Sequence, residues 1–353
     1  MTASAHAISR STLAALPRAA GTQDLRGRRL QDLRISVTDR CNFRCPYCMP
    51  ADAFPNQQEF LARSCMLSFE EIVRAARAAA SLGVRKFRIT GGEPLLRRGL
   101  PTLVYMLARI PGVDDLALTT NGSLLPTHAA ALRHAGLKRI TISLDALDSQ
   151  AFATLSGGRA CVEEVLRGIE AAQAAGFEQI KVNCVVVRGV NDHGIVNLAA
   201  HFKGSGVIVR FIEFMDVGTL NRWRHESVVP SAEVLERIGA RFPLRPLDPG
   251  YPGEVASRYA YADGSGEIGV IASVTRPFCG GCSRLRLSAD GKLYTCLFAD
   301  AGHDLRALLR GGACQEEAEQ FIASIWRHRA DRYSEERASV PVSRRAEMYR
   351  MGG

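Results

Sequence analysis

The chain repeats one local pattern six times, and that repetition limits its fold more than any other feature. Short strand-like stretches are expected at Leu33–Val37, Lys86–Thr90, Leu116–Thr120, Arg139–Leu144, Gln179–Val187 and Val207–Phe214. Helix-like stretches fall between them, at Ser68–Leu82, Leu100–Ile110, Pro126–Ala135, Val162–Ala175 and Gly194–Phe202. Ser68 followed by Glu71 reads as a reciprocal N-terminal cap. Gly83, Gly136 and Gly176 stand where helices should stop, because glycine enters the left-handed conformation cheaply. Repeated strand–helix order implies a parallel sheet with right-handed crossovers. Six units fit an incomplete (β/α)6 barrel better than a closed eight-unit one. A doubly wound open sheet has the same order along the chain and is the alternative within the α/β class.

After about Pro230 the rhythm changes. Pro and Gly crowd Phe242–Gly253, short strand-like pieces follow at Glu267–Val274 and Leu285–Leu287, and Asp290–Gly291 suits a tight hairpin turn. A helix is expected over Gln315–Arg329. The expected organisation is a variable, disordered tail at 1–30, a partial barrel at 31–229 and a smaller α+β domain at 230–353. Residues 1–30 are rich in Ala, Ser and Arg, with Asp24 the first acid. That composition suits a bacterial tail better than an organellar transit peptide. No apolar run approaches the ~20 residues of a membrane helix, so neither a membrane nor export is expected, and the chain is placed in the cytoplasm.

The strands are too polar for a dry sheet. A strand buried on both faces should be almost wholly apolar. Here Arg34, Ser36 and Thr38, Arg88 and Thr90, Thr119, Thr141 and Ser143, Lys181 and Asn183, and Arg210 recur on alternate positions. Period two puts them on one face, which in a barrel is the interior. Guanidinium and ammonium groups in a dry core would be costly, so a wet, cationic cavity that holds an anion is expected. The formal net charge of +9 agrees with an anionic partner but does not choose one.

Six of the ten cysteines lie in two groups. Cys41, Cys45 and Cys48 form C-x3-C-x2-C directly after the first strand, on the face where barrel active sites are built. Cys279, Cys282 and Cys296 form C-x2-C-x13-C. Three thiolates can hold three irons of a 4Fe–4S cluster and leave the fourth open to a small molecule. The competing reading is zinc, which usually takes four protein ligands; for the second group His303 is a candidate fourth. Cys65, Cys161, Cys184 and Cys314 read as buried or incidental thiols, His193 and His201 have no ligand-like spacing, and Trp223 and Trp326 read as packing residues.

The first cysteine run, with Tyr47 before its last Cys, resembles the radical S-adenosylmethionine (SAM) superfamily. Thr90–Gly91–Gly92–Glu93–Pro94 at the end of the second strand is similar to that superfamily's Gly-Gly-Glu-Pro segment. The second group with Arg284 and Arg286 beside it, the run Leu33–Cys41, the stretches Phe87–Thr90, Leu118–Gly122 and Arg210–Met215, and the terminal Gly352–Gly353 together resemble the GTP 3′,8-cyclases of molybdenum cofactor biosynthesis. The resemblance covers nearly all of residues 31–353.

The resemblance implies a radical SAM lyase with two 4Fe–4S clusters and SAM. In that family SAM binds the open iron of the first cluster, and one-electron cleavage gives a 5′-deoxyadenosyl radical. The radical takes the C3′ hydrogen of GTP, and the new carbon radical attacks C8 to give (8S)-3′,8-cyclo-7,8-dihydroguanosine 5′-triphosphate. Cys41, Cys45 and Cys48 match the SAM-cluster ligands, and Cys279, Cys282 and Cys296 match those of the cluster that holds the guanine. Tyr47, Gly92, Ser143 and Met215 match SAM contacts, with Glu93 a further one. Arg34, Arg88, Thr119, Lys181, Arg210, Arg284, Leu285 and Arg286 match GTP contacts. Gly352 and Gly353 match a tail that enters the site. Implied partners are a reductase or flavodoxin-type electron donor, cyclic pyranopterin monophosphate synthase downstream, and a second copy in a homodimer, with no nucleic acid. Two competitors remain at this point: a radical SAM enzyme acting on a peptide or tRNA, and a zinc module binding nucleic acid.

Overall fold

Alternation along each strand decides the architecture. In the computed structural model, which describes residues 21–54, 60–251, 253–339 and 345–352, β1 (Asp32–Ser36), β2 (Lys86–Thr90), β3 (Asp115–Thr120), β4 (Arg139–Ser143), β5 (Gln179–Val186) and β6 (Ile208–Glu213) lie side by side in chain order. All five pairings among them are parallel. Leu33 and Ile35, Phe87 and Ile89, and Val209 and Phe211 are buried in the main apolar core, while the polar residues between them take the other face.

Helices cover the apolar face: α1 (Phe69–Ser81), α2 (Leu100–Ala108), α3 (Leu125–His134), α4 (Ser149–Ser156), α5 (Val162–Ala174) and α6 (Ile195–Phe202). The cap at α1 forms as expected: Glu71 N donates to Ser68 Oγ at 3.2 Å and Ser68 N donates to Glu71 Oε2 at 2.7 Å. Helix α4 was not expected. It starts on Asp148, whose carboxylate accepts from Ala151 N, and stops at Gly157 in the left-handed region.

Beyond α7 (Ser231–Gly239) the chain adds β7 (Leu244–Leu247), β8 (Ser257–Tyr261), β9 (Glu267–Ile271), β10 (Arg284–Leu287), β11 (Lys292–Tyr294) and β12 (His303–Asp304). These strands join the same sheet from both sides, in the order β12-β11-β10-β1-β2-β3-β4-β5-β6-β9-β8-β7. Both β9 and β10 run parallel to their neighbours β6 and β1, so an arc of eight parallel strands is flanked by antiparallel ones. Strand β7 lies in the Pro/Gly-rich stretch; it carries Pro246 without penalty because it is the edge strand. Helices α8 (Leu305–Arg310), α9 (Gln315–Arg327), α10 (Tyr333–Glu336) and α11 (Met348–Met351) complete the described chain.

The expected tail is too long at its inner end. Residues 21–30 are built into the fold: Leu30 is fully buried, Thr22 N donates to Leu82 O, and Asp24 pairs with Arg28 and Arg329. An ion pair buried by α9 holds this segment, and its short, mixed composition gave no sign of that. Residues 1–20 lie outside the described residues.

Glu213 fastens the late strands to the barrel. Its buried carboxylate accepts from Ser231 N (2.8 Å), Thr275 Oγ1 (2.6 Å), Val274 N (2.8 Å) and Thr275 N (2.8 Å). Hydrogen bonds to a charged acceptor are worth more than neutral ones, and buried donors left without a partner are costly. Glu213→Ala should therefore lower stability by roughly 3 kcal/mol, and Glu213→Gln by less, in chemical denaturation. Unchanged midpoints for both variants would show that this junction carries no stability.

Candidate active site

The polar face of the arc encloses a cavity of about 360 Å³. All six grouped cysteines line it: Cys41, Cys45, Cys48, Cys279, Cys282 and Cys296. So do Arg34, Arg88, Thr119, Arg210, Arg284, Arg286, Tyr47, Gly92, Ser143 and Met215. The remaining four cysteines do not contribute; Cys184 is buried in the core, and Cys65, Cys161 and Cys314 are exposed. All ten are free thiols.

Pairing register puts like charges side by side. Arg34 on β1 stands opposite Arg286 on β10 and Arg88 on β2, so three guanidiniums share one rung of the sheet. One rung lower, Asp32 stands opposite Arg284 and Lys86, and Lys86 opposite Asp115, so charges alternate. The lower rung neutralises itself; the upper rung does not. Burial, then Arg286, Arg284 and Arg88, push the Arg34 guanidinium well below its ordinary value. Arg34 makes no side-chain hydrogen bond to another described residue. Burial and Arg284 likewise push Arg286 down to about 10, and burial and Arg88 push Arg210 to about 9. Neutral acceptors hold these groups in place: Arg88 Nη1 donates to Thr119 Oγ1 and Thr141 Oγ1, both at 3.1 Å, and Arg210 Nε donates to Asn183 Oδ1 at 2.9 Å. Lys181 shares the inward face of β5 with Asn183 but sits outside the cavity wall proper. Burial and the adjacent Arg210 and Arg139 bring its ammonium down to about 8.

The first thiol group hangs from the C-terminal end of β1. Cys48 N and Met49 N both donate to Cys45 O, closing a turn that gathers the loop. Burial pushes the Cys41 thiol up to about 12, and Cys45 and Cys48 up as well. Tyr47 Oη donates to Asp145 Oδ2 at 2.6 Å, and Val185 N donates to Asp145 Oδ1 at 2.8 Å. Burial raises Asp145 to about 6. Asp145 lines the cavity and was missed; its place just past β4, beside Ser143, was the available signal.

The Gly-Gly-Glu-Pro segment works differently from expectation. A side chain at Gly91 would stand 2.7 Å from Thr38 O, and one at Gly92 would overlap Arg40 O. The glycines admit the main chain that carries the first cysteine loop. Glu93 is buried away from the cavity wall; its carboxylate accepts from Leu95 N (3.0 Å), Thr120 Oγ1 (2.7 Å) and Asn121 N (2.7 Å). Its oxygens are occupied in bracing Leu95, Thr120 and Asn121, of which Thr120 and Asn121 line the cavity. Leu285 reaches the cavity side by its main chain alone. Its side chain is fully buried on the opposite face of β10, leaving only main chain to meet a ligand.

Cys279 and Cys282 of the second thiol group precede β10, and Cys296 follows the antiparallel β11, which runs back along β10 toward them. Burial raises the Cys282 thiol, but Arg284 and Arg329 outweigh it and bring the group down to about 6. Arg329 was also missed, because nothing in its spacing marks it. The tail does reach the site: Arg286 Nη1 donates to Gly352 O at 2.5 Å, and Gly352 has φ +72°. An added Cβ there would overlap Thr90 Cγ2. Gly353 lies outside the described residues.

Two family models match the chain: Radical SAM superfamily over residues 35–202 and Molybdenum Cofactor Synthesis C over residues 207–335. A protein of Xanthomonas campestris pv. campestris named GTP 3′,8-cyclase is 54% identical over 336 residues, 95% of this chain and 98% of its own length. The chain belongs to the GTP 3′,8-cyclase family. Family members from Acidothermus cellulolyticus (56% over 320 residues, 90% of this chain and 88% of theirs) and Staphylococcus saprophyticus (47% over 323 residues, 91% and 95%) agree. Streptococcus suis SuiB bound to S-adenosylmethionine superposes with TM-score 0.60 at 13% identity, over 86% of this chain and 66% of that one, a likeness of fold.

The cofactors of GTP 3′,8-cyclases are two 4Fe–4S clusters and SAM, and the donor set here fits two such clusters. Each group offers three free thiols to one cavity. Among the described residues no three His, Cys, Asp or Glu side chains converge on the single point that a lone metal ion needs. Three thiols can each take one corner of a cuboidal cluster. Two buried guanidinium nitrogens also lack a hydrogen-bond partner among the described residues: Arg44 Nε, within the first loop, and Arg28 Nη2, whose sister Nη1 donates to Cys279 O. Each arginine also donates to the main chain of a grouped cysteine, Arg44 Nη1 to Cys41 O and Arg28 Nη1 to Cys279 O, so an anionic cluster on those cysteines would oppose its charge. The helices agree with a chain that does not span a bilayer as helix: among the described residues none is long and apolar enough.

The upper rung makes a measurable trade-off. Arg34→Met removes one of three crowded guanidiniums and should stabilise the anion-free protein by about 1 kcal/mol. It should also abolish most of the thermal protection that inorganic triphosphate gives the wild type. A lower melting temperature without triphosphate would contradict the repulsion described here.

Proposed function

We propose that the chain converts GTP to (8S)-3′,8-cyclo-7,8-dihydroguanosine 5′-triphosphate, the first step of molybdenum cofactor biosynthesis. The observation that carries this reading is one cavity walled by both thiol groups with an uncompensated rung of guanidiniums between them. When bound, the first cluster and SAM supply a 5′-deoxyadenosyl radical able to take the C3′ hydrogen of GTP.

The chain's own residues supply position and charge. Cys41, Cys45 and Cys48 hold the SAM cluster, with Tyr47, Gly92, Ser143 and Met215 around SAM. Cys279, Cys282 and Cys296 hold the second cluster, which meets the guanine. Strands β1 and β10 are parallel, so Cys41, Cys45 and Cys48 lie past the C-terminal end of one, and Cys279 and Cys282 before the N-terminal end of the other. Five residues of strand rise about 16 Å, which leaves room for a nucleotide along the sheet. Arg34, Arg88, Arg210, Lys181 and Thr119 bind the phosphates, and Arg284 and Arg286 bind GTP beside the second cluster. Arginine forks suit phosphate because they make paired, charge-assisted hydrogen bonds. Gly352 holds Arg286 through its carbonyl, and its lack of a side chain lets the tail lie against Thr90. Holding C3′ close to the radical centre decides which hydrogen is taken. The reading also includes a reductase or flavodoxin-type electron donor, cyclic pyranopterin monophosphate synthase as the next enzyme, a homodimer, and work in the cytoplasm.

Anaerobic incubation with SAM, reductant and GTP tests the reading. The wild type should release 5′-deoxyadenosine together with cyclised nucleotide, and Arg284→Ala should make little cyclised product. Full product from Arg284→Ala would remove that residue from the site. 5′-Deoxyadenosine formed with a peptide and not with GTP would replace GTP as substrate.

Lys181 gives a pH signature. Its folded value of about 8 lies below the ordinary 10.5, so in the empty cavity it is charged below pH 8 and neutral above it. A bound triphosphate favours the charged form, so binding takes up a proton above pH 8. GTP affinity should therefore fall as pH rises past 8, by at most about tenfold per pH unit. Titration calorimetry on Lys181→Met should show weaker binding at pH 7 and the loss of this slope. An identical slope in the variant would assign the proton to another group.

A further inference from the structure

We propose that Arg329 is a positioning residue for the second thiol group: it orients Cys282 and, by donating to its sulfur, sets how strongly that ligand pushes electrons onto an iron–sulfur cluster. The proposal rests on the assignment of Cys279, Cys282 and Cys296 as cluster ligands made above.

Arg329 grips Cys282 twice. Its Nη2 donates to Cys282 Sγ at 3.1 Å and its Nη1 to Cys282 O at 2.7 Å. The side chain is 2% exposed, so the fork is not free to swing into solvent. Asp24 Oδ2 lies 3.4 Å from Nη1, Asp331 Oδ2 accepts from Nε at 3.3 Å, and the guanidinium lies 4.5 Å from the centre of the Trp326 ring. The same Asp24 carboxylate accepts from Arg28 Nε at 2.6 Å, and Arg28 Nη1 donates to Cys279 O at 2.9 Å. One carboxylate thus holds two arginines, and each arginine grips one cysteine of the Cys279–Cys282 pair.

The charge balance of this cradle is directional. Two guanidiniums face one shared carboxylate, with Asp331 partly exposed at the rim. The buried part carries a net positive charge against the thiol pair, which is costly unless an anionic ligand set answers it. A hydrogen bond to a ligating sulfur withdraws electron density and raises the reduction potential of the cluster it serves. A merely structural ion pair would anchor residues 21–30 to the end of α9 without touching sulfur.

The test uses the full chain carrying Cys41→Ala, Cys45→Ala and Cys48→Ala, reconstituted anaerobically so that only the second group can hold iron. Iron and sulfide analysis comes first; a folded chain with no iron overturns the ligand assignment beneath the proposal, not the role of Arg329. In the iron-loaded background, Arg329→Gln should lower the reduction potential in redox titration and alter the electron paramagnetic resonance spectrum of the reduced cluster. Arg329→Lys, which keeps the charge and one donor, should recover part of the shift. Asp24→Asn, which frees the fork without touching the thiols, should move the potential in the same direction by less. Wild-type potential and spectrum in both Arg329→Gln and Asp24→Asn, with full iron content, overturn the proposal.

Discussion

Three guanidiniums held shoulder to shoulder are the constraint on which the rest of the structure depends. Neighbouring strands lie about 4.8 Å apart, and hydrogen bonding fixes their register, so Arg286, Arg34 and Arg88 cannot relax by moving their main chains away from one another. The surrounding groups moderate the repulsion without cancelling it. Thr119 and Thr141 accept from Arg88, and the Gly352 carbonyl accepts from Arg286, but each is neutral. The carboxylates that could neutralise the rung are spent one level down, on Arg284, Lys86 and Arg139. A polyanion is the partner this rung calls for, and the phosphates of a nucleoside triphosphate would answer its charge.

Bringing the two thiol groups together is the task of the β1–β10 pairing. The groups are far apart in the chain, yet Leu33 stands opposite Leu285 in one parallel ladder. Glycine does the fine adjustment: Gly91 and Gly92 let the cysteine loop lie on the second strand's end, and Gly352 lets the tail lie on Thr90.

The barrel strands and five of their helices were legible in the sequence because their signals are local: period, cap and stop. Inward Arg and Lys residues were legible for the same reason, since alternation alone separates Arg34 and Arg88 from Leu33 and Phe87. Contacts made across long chain distances were not. Nothing near Asp24 shows that it meets Arg329, and nothing near Arg329 shows that it meets Cys282. Strands β7 and β8 were hidden by Pro246 and its glycine-rich surroundings, which read as loop until an edge position is known. The bonds that Glu93 makes were equally hidden, since its motif says nothing of Thr120 and Asn121, to which its oxygens turn.

Strand β10 has a consequence for how the molecule comes into being on the ribosome. Its parallel partner β1 is made some 250 residues earlier, and must wait that long before Asp32 finds Arg284. Asp24 waits longer still, for Arg329. Until β10 is in place, the first three thiols and the early arginines Arg34 and Arg88 lack one wall of their chamber. Completion of the chamber accordingly waits on β10 and on Arg329.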